Sequence, residues 1–175
     1  VTTHPGSDTP APDAFGDVLA ANAQYVESFH LAGLEGRAAR GLAVVTCMDS
    51  RIEPLAMLGL SPGDAKILRN AGARVTDDVL RTLTLATHLL GVDRVMVVAH
   101  TNCKMASTTE AELDDAIRGR SGVDTRSIEF GLVDDQRATL LRDVQKVRSW
   151  PFLTPDVQVG GFVYDVVTGS LTHIR

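Results

Sequence analysis

The stretch Val44-Val45-Thr46-Cys47-Met48-Asp49-Ser50-Arg51 decides the fold, in company with Val97-Val98-Ala99-His100-Thr101-Asn102-Cys103 further along the chain. Each opens on a short apolar run rich in β-branched residues and ends in side chains with ligand chemistry. A buried parallel strand delivers residues to the carboxyl edge of its sheet in this way. Cys47, His100 and Cys103 then stand at one edge as three soft donors. Two thiolates and an imidazole suit zinc best among the common metals, and three protein ligands leave a fourth tetrahedral position for water or substrate. That is the pattern of a catalytic site; a structural zinc has all four positions filled by protein.

Outward from these two strands, the chain alternates strands with helices. Strands are expected over 42–47, 65–69 and 94–99, and helices over 53–58, 76–90, 110–118 and 134–149, with a further helix opening over 102–107. His100 and Cys103, at i and i+3, lie one turn apart and can close on one ion. His88 falls off the apolar stripe of its helix and reads as a solvent-facing or interface histidine. Residues 157–167 form a strand whose Gly160 and Gly161 mark a bulge or a close backbone approach, and Thr168-Gly169-Ser170 turns the chain back into 171–175. The fold class is therefore α/β: a central, mostly parallel sheet flanked by helices and closed by an antiparallel C-terminal edge strand.

Ahead of the sheet, Asp13 is placed to cap a helix over 14–32, closed by Gly33 and Gly36. Phe15, Val18, Leu19, Val26 and Phe29 share one face of it, broken only by Asn22. Such a face can cover its own domain or a partner's.

With 175 residues, 44% of them hydrophobic, the chain fits one compact domain, here 13–175, behind a polar, proline-containing lead-in over 1–12 that reads as disordered. A formal charge of −5 with scattered lysines and arginines argues against nucleic acid as a partner. No apolar run approaches a membrane span, and the first residues lack the charged and apolar regions of a signal peptide, so the expected location is the cytoplasm. In that reducing compartment Cys47 and Cys103 are thiols or ligands rather than a disulfide. Two buried inert thiols would be the bland reading; Asp49, Arg51 and His100 beside them argue against it.

Cys47-Met48-Asp49-Ser50-Arg51, Pro62-Gly63-Asp64, Arg69-Asn70-Ala71-Gly72, His100-Thr101-Asn102-Cys103 and the closing Gly161-Phe162-Val163-Tyr164-Asp165-Val166-Val167-Thr168-Gly169 together resemble a β-class carbonic anhydrase, in order from about residue 14 to the end. The resemblance implies an enzyme with one zinc per subunit that interconverts carbon dioxide and bicarbonate. It implies a homodimer or homotetramer in which the N-terminal helix reaches across to a partner subunit. It assigns Cys47, His100 and Cys103 to the metal and Asp49 with Arg51 to the neighbouring dyad; in some relatives the aspartate becomes the fourth ligand of a closed site. Lys104 stands where the family usually has glycine, and Ala73-Arg74 follow Gly72.

The residues support the same chemistry. If 47–51 stay extended, Cys47, Asp49 and Arg51 share a side and point into one pocket. Zinc lowers the pKa of its water to about 7, so hydroxide is available to attack carbon dioxide. Asp49 can aim that hydroxide, and Arg51 can fix the carboxylate with its bidentate fork. An ordinary strand-end salt bridge is the alternative for this pair. For the whole chain the alternatives are a hydrolase of carbon disulfide or carbonyl sulfide on the same fold, and a non-catalytic zinc or thiol module.

Overall fold

The computed structural model describes residues 14–175. The lead-in over 1–12 and the Asp13 cap lie outside the described residues. The chain divides into two compact units, one up to Leu34 and one from Glu35 to Arg175.

In the first unit, helix α1 spans Gly16–Glu27, shorter than the expected 14–32. Ser28 ends it before either glycine is reached. Its hydroxyl donates to the Tyr25 carbonyl at 3.2 Å, and its own carbonyl faces His30 Nδ1 at 3.1 Å, so local side-chain bonds replace the next helical ones. No residue of α1 is buried. Val18, Leu19 and Val26 are exposed on it, and Phe29 is exposed just past its end.

The second unit holds a five-stranded sheet in the order β2-β1-β3-β4-β5, where β1 is Leu42–Cys47, β2 Ala65–Asn70, β3 Arg94–His100, β4 Gln158–Tyr164 and β5 Leu171–Ile174. The first four strands run parallel and β5 is antiparallel to β4, as the alternation of strands and helices implies. β1 is buried at every residue because it lies between β2 and β3 with both faces covered.

Alternation within the strands sends side chains to two cores. Ala43, Val45, Val95 and Val97 face α3 (Asp77–Leu89) and α5 (Gln136–Arg148), which contribute Leu80, Leu83, Leu140 and Val144. On the other face Leu42, Val44 and Val98 pack with Met57 of the short helix α2 (Pro54–Met57), Ile67 and Phe162. α3 begins where the Thr76 side chain accepts a bond from the Val79 N–H, and α5 where Asp135 does the same for Ala138. α4, Glu110–Ser121, carries a full capping box between Thr109 and Glu112 and closes on Gly122 at φ 68°, a turn later than expected.

The glycine pair in β4 makes a close approach and no bulge. Register with β3 continues unbroken through Met96↔Gly160 and Val97↔Gly161. A Cβ on Gly161 would lie 2.9 Å from Val144 Cγ2, so the missing side chain is what lets α5 lie against the strand.

Two expectations near the ligands fail. No α-helix forms over 102–107: Asn102 adopts φ 55°, which breaks the backbone direction, and only a single 3-10 turn over Lys104–Ala106 follows. Residues 47–51 do not stay extended either, because β1 stops at Cys47 and a turn closes with the Ile52 N–H donating to the Asp49 carbonyl at 3.1 Å.

Candidate metal centre

Cys47 ends β1, His100 ends β3, and the turn at Thr101-Asn102 returns Cys103 to the same carboxyl edge. Helical spacing is not what joins His100 to Cys103; the left-handed Asn102 does it, with Cys103 itself extended. The result is a group in which one ligand atom from each of Cys47, His100 and Cys103 lies within 4.8 Å of the others, all three residues buried. The two cysteines are free thiols.

The donor set fits a metal cation. His100 Nδ1 lies 2.9 Å from the Thr101 carbonyl, which fixes that nitrogen as the N–H donor and leaves the Nε2 lone pair facing the two sulfurs. Nε2 is buried and has no hydrogen-bond partner among the described residues. Burial also lowers the imidazole pKa, keeping the ring neutral as a ligand must be. Cys103 is pushed the other way: burial, reinforced by the nearby Cys47 sulfur, raises its thiol pKa. A cation at this position would offset that burial by favouring the thiolate form.

Asp49 stands beside this group, with Oδ2 at 3.9 Å from His100 Nε2. Arg51 engages both of its oxygens: Nε donates to Oδ1 at 2.9 Å, Nη2 to Oδ2 at 2.7 Å, and the Arg51 backbone N–H to Oδ1 at 3.0 Å. Those bonds hold the Asp49 carboxyl well below the usual carboxylate range. Nη2 also donates to the Asn102 carbonyl at 3.1 Å, so the guanidinium ties the aspartate to the turn that carries Cys103. Asp49 and Arg51 do pair, but through the turn after β1 and not through an extended strand.

Three contributors went unassigned in the sequence. Arg69, in β2, donates from Nε to the Cys47 carbonyl at 2.9 Å and from Nη2 to the Asp49 carbonyl at 2.7 Å, pinning the backbone between ligand and dyad. Gln136, in the first turn of α5, donates to the His100 carbonyl at 2.7 Å. The Gly72 N–H donates to Cys47 Sγ at 3.3 Å. An arginine closing the apolar run of β2 was a signal for Arg69; nothing local marks Gln136 or a backbone N–H.

A family model described as carbonic anhydrase matches residues 42–171, a span that takes in the whole site. The chain belongs to the β-carbonic anhydrase family. Beta-carbonic anhydrase 1 of Mycobacterium tuberculosis is 37% identical over 161 residues, covering 90% of this chain and 96% of the relative. The carbonic anhydrase of Streptococcus mutans superimposes with a TM-score of 0.86 at 35% identity, over 92% of this chain and 97% of that one. A carbon disulfide hydrolase from Acidianus is also similar, 35% identical over 75% of this chain and 76% of its own. Within this β-carbonic anhydrase fold Lys104 is exposed, and its charge is felt by Glu112 on α4. His88 is exposed, its ring facing the Phe152 carbonyl at 3.0 Å, as a surface histidine should be. No helix among the described residues is long and apolar enough to cross a membrane.

Proposed function

We propose that the protein is a zinc-dependent carbonate dehydratase, one zinc per subunit held by Cys47, His100 and Cys103. The observation that carries this reading is His100 Nε2, without a hydrogen-bond partner among the described residues, facing two buried thiols, with an arginine-held carboxylate 3.9 Å away. When bound, zinc supplies the Lewis acidity that makes water a nucleophile near neutral pH. The chain's own residues do the rest. Asp49, kept ionised by Arg51, is an acceptor that orients an O–H group and cannot donate a proton in its place. Arg51 restrains that carboxylate through two parallel bonds, a geometry lysine cannot supply. Arg69 fixes the backbone from Cys47 to Asp49, so metal ligand and orienting carboxylate keep their spacing.

Hydrolysis of carbon disulfide is the second reading, favoured by the similarity to the Acidianus enzyme. Both substrates are linear triatomic molecules attacked at carbon, so the same ligands and dyad serve either. The two reduced thiols suit a reducing compartment, and we place the protein in the cytoplasm on that ground. The exposed apolar residues of α1 give a face for a second copy of the chain, and we take the active form to be a homodimer or homotetramer.

The test is carbon dioxide hydration and carbon disulfide hydrolysis, each measured beside zinc content, in wild type and Cys103→Ala. Wild type should carry one zinc and hydrate carbon dioxide at the higher kcat/KM; the variant should lose most of its zinc and all activity. Full zinc in Cys103→Ala refutes the ligand set. A zinc-replete wild type faster on carbon disulfide selects the second reading, and one inert to both selects a binding module.

A further inference from the structure

The turn that brings Gly72 to Cys47 is held from a distance. Gly72 and Ala73 are both left-handed, at φ 79° and 58°, an arrangement uncommon for alanine, and Ala73 is buried. The Asn70 side chain brackets the turn from both sides: its Nδ2 donates to the Arg74 carbonyl at 2.7 Å and its Oδ1 accepts from the Arg74 N–H at 2.8 Å. The Arg74 side chain then reaches α5, where its Nε donates to Asp143 Oδ2 at 2.8 Å, while Nη1 donates to the Gly131 carbonyl at 2.9 Å. Asp143 Oδ2 also accepts from the Val75 N–H at 3.2 Å. The Asp143 carboxylate is buried, so neither its place nor that of Arg74 is explained by solubility.

We propose that Asp143, Arg74 and Asn70 are positioning residues for the metal centre: together they hold the strained turn so that the Gly72 N–H stays aimed at the Cys47 sulfur. An N–H donor on a ligating thiolate withdraws charge from the sulfur and fixes its lone pairs, which tunes how strongly and in what direction it binds a metal. Without the clamp, Ala73 relaxes from its left-handed conformation, the peptide before Gly72 rotates, and Cys47 loses its donor. The inference deepens the metal reading above and rests on it, because it assigns no role to Gly72 unless Cys47 is a ligand. The same alignment explains the glycine. A Cβ there would lie 3.3 Å from Met105 Cβ, on the segment that follows Cys103, in addition to straining the backbone.

The experiment loads the full-length protein with an NMR-active cadmium isotope and reads scalar coupling from the metal to the Gly72 amide proton across the N–H···S bond. Zinc affinity by chelator competition and thermal unfolding are measured alongside. Wild type should show the coupling. Asp143→Asn, which keeps shape but removes charge, and Asn70→Ala should weaken or abolish it and lower zinc affinity by about 10- to 100-fold. Lys146→Ala is the control for mere loosening: Lys146 ties α5 to the Val75 carbonyl at 2.9 Å and not through the side chains of Asn70, Arg74 or Asp143, so its loss should leave the coupling intact. Coupling and zinc affinity unchanged in both clamp variants would overturn the proposal, and so would loss of coupling in Lys146→Ala. Cadmium bound to Cys47 in wild type without coupling to Gly72 would overturn it while leaving the ligand set standing. Failure of Cys47 to bind cadmium at all would remove the metal reading, and this inference with it.

Discussion

Adding one methyl group to Gly161 probes the packing that sets α5 against the sheet. The new Cβ would lie 2.9 Å from Val144 Cγ2 and 3.4 Å from Leu140 Cγ, and both of those residues are buried in the main core. Neither side chain is free to turn aside, so α5 must shift by a few tenths of an ångström. Overpacking of this kind costs roughly 1–3 kcal/mol. At roughly 2–4 °C per kcal/mol for a chain of this size, Tm of Gly161→Ala should fall by about 2–12 °C. Gly160 is the internal comparison, since it points to the opposite face and its Cβ would meet the tip of the Phe162 ring at 2.8 Å. That ring stacks on His173 at the sheet's edge and is only half-buried, so it can swing; Gly160→Ala should cost less. Because α5 also carries Gln136 and Asp143, Gly161→Ala should weaken zinc binding as well, and Gly160→Ala should not. Urea and thermal unfolding at one fixed protein concentration, with zinc titration, make the measurement. If Gly160→Ala is the more damaging of the two, or Gly161→Ala unfolds with wild type, then the close approach of β4 to α5 is not what this pair of glycines serves.

Arg51→Ala removes the side chain that occupies both oxygens of Asp49, so a crystal structure of the zinc-loaded variant at alkaline pH should show that carboxylate on the metal; a water on zinc with Asp49 standing off would show that something else restrains it. In wild type, activity should fall with pH as the nucleophile is lost to protonation, while Asp49→Ala should keep its zinc and lose most of its rate. Deleting residues 1–32 removes the exposed apolar face of α1 and should abolish the dimer, as read by light scattering; a soluble, active monomer would count against that helix as the bridge. Thr125 and Arg118 hold the Asp114 carboxyl below its ordinary value, so the folded state binds fewer protons than the unfolded one through the acid range. Stability tied to Asp114 is therefore present above about pH 4 and lost as pH falls through the lower folded value. Asp114→Asn should show a shallower loss of stability on acidification, and an unchanged slope would show the contact is too exposed to matter.

The sheet and the grouping of Cys47 with His100 at its edge were legible in the sequence because both rest on local signals. Parallel strands buried on both faces must be continuous apolar runs, and 42–47 and 94–100 are such runs ending in ligand chemistry. Parallel strands share one carboxyl edge, so Cys47 and His100 had to meet once the strands were placed side by side. The glycines at 160 and 161 left a bulge and a close approach as alternatives, and the folded chain chose the approach and the helix. What failed was geometry decided by single backbone angles. Neither the left-handed Asn102 that returns Cys103 to the edge nor the turn that brings Asp49 round after β1 has a periodicity, and each replaced a regular segment the sequence pattern favoured. The early end of α1 at Ser28 is of the same kind, a side-chain bond competing with one more helical turn. Tertiary structure alone decided which groups support Cys47, His100 and Cys103. Arg69, Gln136, Asn70, Arg74 and Asp143 act through hydrogen bonds between segments distant in the chain or through backbone groups, and such bonds leave no pattern in a sequence because either partner, taken alone, is an ordinary polar residue. Sequence by itself fixed the chemistry available at the sheet edge; only the folded chain determined the angles at which that chemistry is held.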